Sequence, residues 1–527
     1  MFTTMATSSA NFLNTVLNLG SDSYLYFYFF TLLVGAFLLR DTIRNRHVSR
    51  LPHLNPKHLT DLTKTRVRKE FFTTSYSIIR QWFRTNPDKA ARVTADIGEV
   101  IVLPSRLADE IKNDPRLSFG EFIYNSFHAD LPGFEGFREG ARDSRIVQAV
   151  IIRDLTKHLN KVTEPLAEET RLSLDDLLPR ETTEAWQLVD IRETILHLIA
   201  RISSRVFLGG ELCRNDDWLK VTRDYTLDAM RGAIELRFIP KPVRFLAHWF
   251  LPSCQRARAH VKEARRIIGP VLERRRALKR AGKDTFDDDA IEWFEREAQG
   301  RPYDPVVAQL VMSMAAIHTT TDLTVQVLSD LVQHPEVIDA LHEEMTSALR
   351  DGGWTKNSLY NMKLLDSVIK ESQRMKPVGL VSMRRVASSS LSLSDGTYIP
   401  KGATIAVSAE RMWDPSVYPG ADSWDGSRFL KMRSVPGSEH MAQLVSTSIE
   451  HMGFGHGQHA CPGRFFAGNE VKIALLHLLL RYDWRLPEGA AAPKTRTLGF
   501  SLGVDPSLRL EYRPRNGKLG ELGDIEV

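Results

Sequence analysis

The sequence predicts a mainly α-helical protein with small β-sheets, preceded by an amino-terminal transmembrane helix. Three observations predict it. Apolar residues recur at helical spacing over most of the 527 residues, only short stretches alternate as strands do, and an uncharged apolar run lies near the amino terminus.

The apolar run spans Tyr24 to Leu39 and includes Leu25, Phe27, Phe29, Phe30, Leu32, Leu33, Val34, Phe37 and Leu38. It is short for a membrane span, but the weakly polar stretch from Phe12 to Leu19 lengthens it, and tyrosines cluster at one end as interfacial anchors do. Arg40, Arg44, Arg46 and Arg50 follow, which by the positive-inside rule keeps the carboxyl side in the cytoplasm. A cleaved signal peptide would need a basic segment before the apolar run and small residues after it, and neither is present. The segment therefore reads as an uncleaved anchor, with a buried hydrophobic helix as the competing reading. Prolines at 52 and 56 disfavour helix in the residues before them. The chain divides into a short segment at 1–23, an anchor at 24–39, a basic proline-containing hinge at 40–57 and a single body at 58–527.

Within the body, Gly98 to Leu103 reads as a strand and Leu391 to Val407 as a hairpin turning at Asp395-Gly396. Asp304-Pro305 is a helix start, with Asp as the cap and Pro in the first helical position. There are 70 basic and 65 acidic residues, a net charge of +5, which gives no reason to expect a nucleic-acid partner. Cys213, Cys254 and Cys461 are too few and too scattered for a disulfide framework or a zinc pair. No internal repeat and no glycine-rich phosphate loop is present, which argues against nucleotide chemistry.

Chemistry enters at Phe454-Gly455-His456-Gly457-Gln458-His459-Ala460-Cys461-Pro462-Gly463, which fits F-x-x-G-x-x-x-C-x-G and leads into a helix reaching Leu480. Glycines at 455, 457 and 463 let backbone approach a flat macrocycle in dihedrals that other residues resist. Phe454 can pack beside the sulfur. Near a helix start, free N–H groups and the dipole favour a thiolate at Cys461, as an axial ligand to haem iron must be. An inert buried cysteine beside a flexible loop is the alternative.

Two further segments agree, and with them the chain resembles the cytochrome P450 family from the anchor to beyond residue 500. The first is Glu371-Ser372-Gln373-Arg374, whose Glu371 and Arg374 share one helix face. The resemblance completes this pair with Arg428 and implies a role in folding and haem retention. The second is Ala315-Ala316-Ile317-His318-Thr319-Thr320-Thr321, similar to the family's A-G-x-D/E-T-T segment on the oxygen side of the haem. Small residues at 315 and 316 leave room for dioxygen, and the Thr319 hydroxyl can pass protons to it. His318 stands where the family has an acid, so proton delivery would use His318, water or Thr320, or else His318 is a satisfied helix residue with no such duty.

The resemblance further implies that haem carboxylates meet His459 and Arg385, with Arg384 as competitor, and Arg153 near 150, where Gln148 replaces the usual tryptophan. Pocket candidates are Phe127, Phe134, Ala315, Ala316 and Phe500, which suit an apolar, bulky substrate, although core packing competes for each phenylalanine. Local wording is similar to fungal members that oxidise terpenoids, such as ent-kaurene oxidase and indole-diterpene oxygenases. The expected activity is hydroxylation or successive oxidation of an apolar polycyclic secondary metabolite, a terpenoid or meroterpenoid. Electrons would come from NADPH through the flavin of a separate NADPH–cytochrome P450 reductase, docking near Arg464 and Lys472, at the endoplasmic reticulum membrane with the body in the cytoplasm. Rearrangement, desaturation or coupling without oxygen insertion is one alternative, and a non-catalytic haem sensor or electron carrier is another.

Overall fold

The computed structural model describes Leu32 and residues 50–58, 61, 63–142, 145–179, 185–283 and 288–515. The anchor expected at 24–39, Leu32 apart, and the arginine-rich part of the hinge lie outside the described residues. Among the described residues no helix is long and apolar enough to cross a membrane.

The principal helices are α1 (Thr65–Thr85), α2 (Phe119–Ser126), α3 (Leu159–Leu177), α4 (Ile191–Phe207), α5 (Asp216–Arg237), α6 (Pro252–Arg280), α7 (Pro305–Gln333), α8 (Lys363–Met375) and α9 (Arg464–Arg481). Two of them, α7 and α9, form the centre. The α7 helix starts as expected: the Asp304 carboxylate accepts the N–H groups of Val306 and Val307, and Pro305 needs no partner for its nitrogen. Most of its 29 residues are buried, including Val307, Leu310, Ile317 and Leu328. The α9 helix is buried nearly all round from Phe466 onward, the pattern of a helix inside a core rather than on its surface. Each such fully buried Leu or Val contributes about 1.5–3 kcal/mol by leaving water.

Strands β1 (Ala91–Ala95), β2 (Gly98–Leu103), β3 (Leu117–Ser118), β4 (Val381–Ala387) and β5 (Thr404–Ser408) form a five-stranded sheet in the order β1-β2-β5-β4-β3. β2 and β5 run parallel, and the other pairs are antiparallel. The expected hairpin turns at Asp395-Gly396, with Gly396 at φ +81°. Its arms, Leu391–Ser392 and Tyr398–Ile399, are short. Residues 404–408 leave the hairpin for the main sheet, because Ile405, Ala406 and Val407 are buried there in continuous succession, as a central strand requires.

Candidate active site

The loop before α9 is built on glycine. Gly455 and Gly457 hold φ +73° and +77°, and a Cβ on Gly457 would fall 2.4 Å from the Lys112 Cβ. Only glycine fits there without displacing a neighbour. The Cys461 N–H donates to the Phe454 carbonyl at 2.8 Å, closing the loop so that the sulfur faces inward. Burial raises the Cys461 thiol above its ordinary value, and the N–H groups of Gly463 and Arg464 oppose that rise.

Cys461 borders a cavity of about 330 Å³ between α7 and α9. Phe454, Pro462, Gly463, Phe466 and Ala467 share its wall, and Ala315, Ala316, Thr319 and Thr320 of α7 line it as well. Val147, Ile151 and Leu155 close another side. The Thr319 hydroxyl donates to the Ala315 carbonyl at 2.8 Å, which leaves its oxygen free to accept. The lining is almost wholly apolar. Its exceptions include the two threonines, Gln373 and the ion pair of Lys376 with Asp322.

His318 does not line the cavity. Its Nε2 lies 3.0 Å from the Arg223 carbonyl on α5, and burial holds the imidazole below its usual range. A neutral ring donating to that carbonyl is a satisfied helix residue, so the relay role has no cavity contact to support it.

The acid that does approach the α7 threonines was not singled out in the sequence. Glu470 on α9 is fully buried, and its carboxylate oxygen lies 2.6 Å from the Ser203 hydroxyl of α4. The Thr320 hydroxyl also faces the carboxyl. Burial pushes its pKa up to about 8, against which the two hydroxyls act only partly. Its signal was the one acid in a helix that also carries Asn469, Lys472 and His477 among mostly apolar residues.

A cationic corner adjoins the cysteine loop. Arg385 is 5% exposed; it donates to the Arg384 carbonyl at 2.7 Å and lies over the Phe119 ring at 5.2 Å. Burial lowers it to about 10, because no carboxylate among the described residues offsets the desolvation. His459 lies over the same Phe119 ring, 5.9 Å between centroids, and burial, then Arg385 and Arg145, bring it down to about 4. Arg145 is a member of this corner that the sequence did not single out. A buried guanidinium with no carboxylate partner among the described residues, near an apolar cavity bordered by the Cys461 sulfur, fits a group that is flat, apolar and carboxylated at one edge.

Arg153 is placed elsewhere. Its side chain is 66% exposed and pairs with Glu297 at 3.3 Å. Val147, Ile151 and Leu155, four residues apart, take the cavity-facing positions and turn Arg153 outward. None of the three predicted phenylalanines lines the cavity. Phe127 stacks on Phe137 at 4.4 Å, Phe134 is fully buried beside the same ring, and Phe500 packs edge-on against Phe71 at 5.0 Å. Lys472 is buried, donates to the Leu359 carbonyl at 2.8 Å and pairs with Asp366 at 2.7 Å, so it offers no charge to a docking partner.

Behind α9, Glu371, Arg374 and Arg428 do come together. The Arg374 Nε and Nη2 donate to Glu371 at 2.8 and 2.9 Å, and the Arg428 Nε adds contacts at 3.1 Å. Arg374 also donates to the Met412 carbonyl at 2.6 Å and Arg428 to that of Pro419 at 2.6 Å, tying α8 to the segment leading to the cysteine loop.

Comparison with known proteins follows the same outline. Residues 137–508 match the family model described as Cytochrome P450. The chain is 49% identical over 474 residues to the cytochrome P450 monooxygenase hepE of Aspergillus oryzae, spanning 88% of this chain and 86% of that protein. It is 43% identical over 511 residues to the cytochrome P450 monooxygenase TRI1 of Fusarium sporotrichioides, spanning 96% and 92%. Among solved structures, the haem domain of cytochrome P450DA superposes with a TM-score of 0.66 over 88% of this chain and 97% of that one, a likeness of fold at 16% identity.

Proposed function

The chain belongs to the cytochrome P450 family, and from that premise we propose that this haem-dependent monooxygenase hydroxylates, or successively oxidises, an apolar polycyclic terpenoid or meroterpenoid. The observation that carries the reading is the cavity itself: a cysteine sulfur on one wall, small residues and threonines on another, and almost no polar lining elsewhere. An unactivated carbon held there would be kept from water by Val147, Ile151, Val311 and Leu323.

Haem, when bound, supplies the iron at which dioxygen, reduced with NADPH-derived electrons, yields one oxygen atom for insertion into a C–H bond. Cys461 would hold that iron as thiolate, and the Gly463 and Arg464 N–H groups support its charge. Arg385 and His459 would hold the haem carboxylates. Ala315 and Ala316 leave space on the oxygen side, where Thr319 accepts and donates a proton at Oγ1. Glu470 keeps its proton at neutral pH and can release it through the Thr320 hydroxyl, a reservoir in place of the acid absent at 318. A separate NADPH–cytochrome P450 reductase as electron donor and a membrane tether through 24–39 at the endoplasmic reticulum complete the proposal.

The test is co-expression with a fungal reductase and a panel of diterpene, indole-diterpene and meroterpenoid intermediates, read by mass spectrometry. Gain of one oxygen on one scaffold, abolished by Cys461→Ser together with the red-shifted Soret band of the reduced carbon monoxide complex, is the expected result. Desaturation or rearrangement without oxygen gain would overturn the hydroxylation reading while leaving the thiolate in place.

A further inference from the structure

Two adjacent arginines on β4 meet different surroundings, and only Arg385 has a place in the site described so far. Met383 holds φ +49° at a break in the pairing of β4 with β5, between Ser382 and Arg385. A bulge of this kind re-aims the side chains that follow it. Arg385 then lies over Phe119, the ring that His459 also meets, while Arg384 lies over the Phe500 ring at 5.6 Å.

Among the described residues no hydrogen-bond acceptor and no ion-pair partner meets the Arg384 guanidinium. Burial brings it down to about 10, opposed by the charge of Asp96 and reinforced by that of Arg237, and those two are paired with each other. Protein surrounds the side chain, yet part of its surface stays uncovered, the condition of a group that borders an internal void. The Phe500 ring offsets some of the desolvation, since a cation is attracted to an aromatic face. The remainder calls for an anion with two oxygens, which the fork of a guanidinium meets as a bidentate pair.

What adjoins the guanidinium narrows the anion. A Cβ on Gly379 would fall 3.5 Å from the Arg384 Nη2 and 2.6 Å from the Phe500 carbonyl, so a glycine here lets both close on this segment. Val378, the residue before it, is 50% exposed and lines the cavity of Cys461, and its carbonyl accepts the Leu502 N–H at 3.0 Å. The guanidinium thus stands one residue behind the cavity wall, at a different ring from the Phe119 corner that suits the haem carboxylates.

We propose that Arg384 receives a carboxylate carried by the substrate, at the end remote from the carbon that is oxidised. The substrate is then a polycyclic terpenoid or meroterpenoid acid, apolar along its length and charged at one end. This deepens the proposed function and rests on its reading of the Cys461 cavity as the place where substrate is held. A haem carboxylate shares the chemistry, and the test separates the two sources.

The full-length haem-loaded protein is titrated with dehydroabietic acid and other polycyclic diterpene acids, each beside its methyl ester, and the shift of the Soret band gives dissociation constants without turnover. At least one acid binds about ten-fold more tightly than its ester. Arg384→Gln lowers that acid's affinity about ten-fold and leaves the ester's unchanged, and Arg384→Lys, a cation without the fork, keeps only part of the preference. Haem content and the Soret band of the reduced carbon monoxide complex stay as in the wild type. No acid ahead of its ester overturns the proposal, and so does a preference that survives Arg384→Gln. Haem lost from Arg384→Gln with the preference intact assigns the guanidinium to a haem carboxylate and also overturns it. Should the glutamine variant fail to fold or to load haem, the wild-type comparison and Arg384→Lys decide. Oxygen inserted into a neutral scaffold, with no acid ahead of its ester, sinks this inference alone, whereas an acid that binds ahead of its ester and leaves desaturated sinks hydroxylation alone.

Discussion

Glu371 and Glu470 are equally closed to solvent, yet the first meets two guanidinium groups and the second two hydroxyls. Both come from helices packed against α7, within one hydrophobic body. The difference is one of partners. Two arginines with fixed forks let a carboxylate keep its charge in a low-dielectric interior, and every remaining donor of the set finds a carbonyl. Hydroxyls offset only part of the desolvation, so Glu470 holds a proton to about pH 8. The first arrangement holds a charge inside the core, and the second holds a carboxyl beside Thr320, which lines the cavity.

The largest effect comes from breaking the first. Arg374→Ala strands Glu371 with one partner and frees the Met412 carbonyl, a loss of about 3–5 kcal/mol for a buried pair with one member removed. Denaturant unfolding and the haem retained after gel filtration should both fall together. A loss under about 1 kcal/mol would show that Arg428 alone suffices and would erase the contrast.

Glu470→Gln sharpens it. A carboxyl whose folded value is about 8 against an ordinary 4.5 binds more protons folded than unfolded between those limits. Stability from this group is therefore greatest below pH 4.5 and falls as pH rises towards 8, at up to about 1.4 kcal/mol per pH unit. The glutamine variant cannot ionise, so it should lose this slope and gain on the wild type at pH 8. Chemical denaturation at pH 5.5 and pH 8 measures it. An unchanged slope would mean that Glu470 is already charged in the folded protein.

What could be read in advance divides along the same line. The Cys461 loop, the Asp304 cap and the Glu371–Arg374 pair are local patterns, each set by a spacing of a few residues, and the structure forms each as a local unit. Glu470 becomes notable only when α4 and α7 bring Ser203 and Thr320 to it, from positions distant in the chain. Phe127, Phe134 and Phe500 do not line the cavity of Cys461, and the sequence could not have shown it for a related reason. An apolar ring has the same sequence signature whether it faces a cavity or another ring, and here each faces another ring or a guanidinium. Arg153 was misplaced because the face of its helix is decided by Val147, Ile151 and Leu155. The helical class and the cysteine loop were legible, and the position of Glu470 beside Thr320 was not.

Thr320→Val tests the link between the second glutamate and the cavity. Valine keeps the shape and removes the hydroxyl, which leaves Glu470 protonated with no route out. Product formed per NADPH consumed should drop about ten-fold, well inside the range of lost proton-transfer steps, while substrate affinity is unchanged. A variant that couples as well as the wild type would remove Thr320 from the route.

The smallest effect is expected at His318, for which the sequence alone left a proton relay and a satisfied helix residue both open. Glutamine there can still donate to the Arg223 carbonyl and fill a similar volume on the α5 side, so the helix contact is kept. If the imidazole has no part in proton delivery, His318→Gln changes coupling by less than about two-fold and leaves the pH dependence of turnover where Glu470 sets it. A relay histidine would behave differently: its loss would remove a limb of the pH profile near the imidazole range and lower product yield as far as Thr320→Val does. Measuring the two profiles side by side assigns the missing acid either to the neighbour in sequence or to the one across the core.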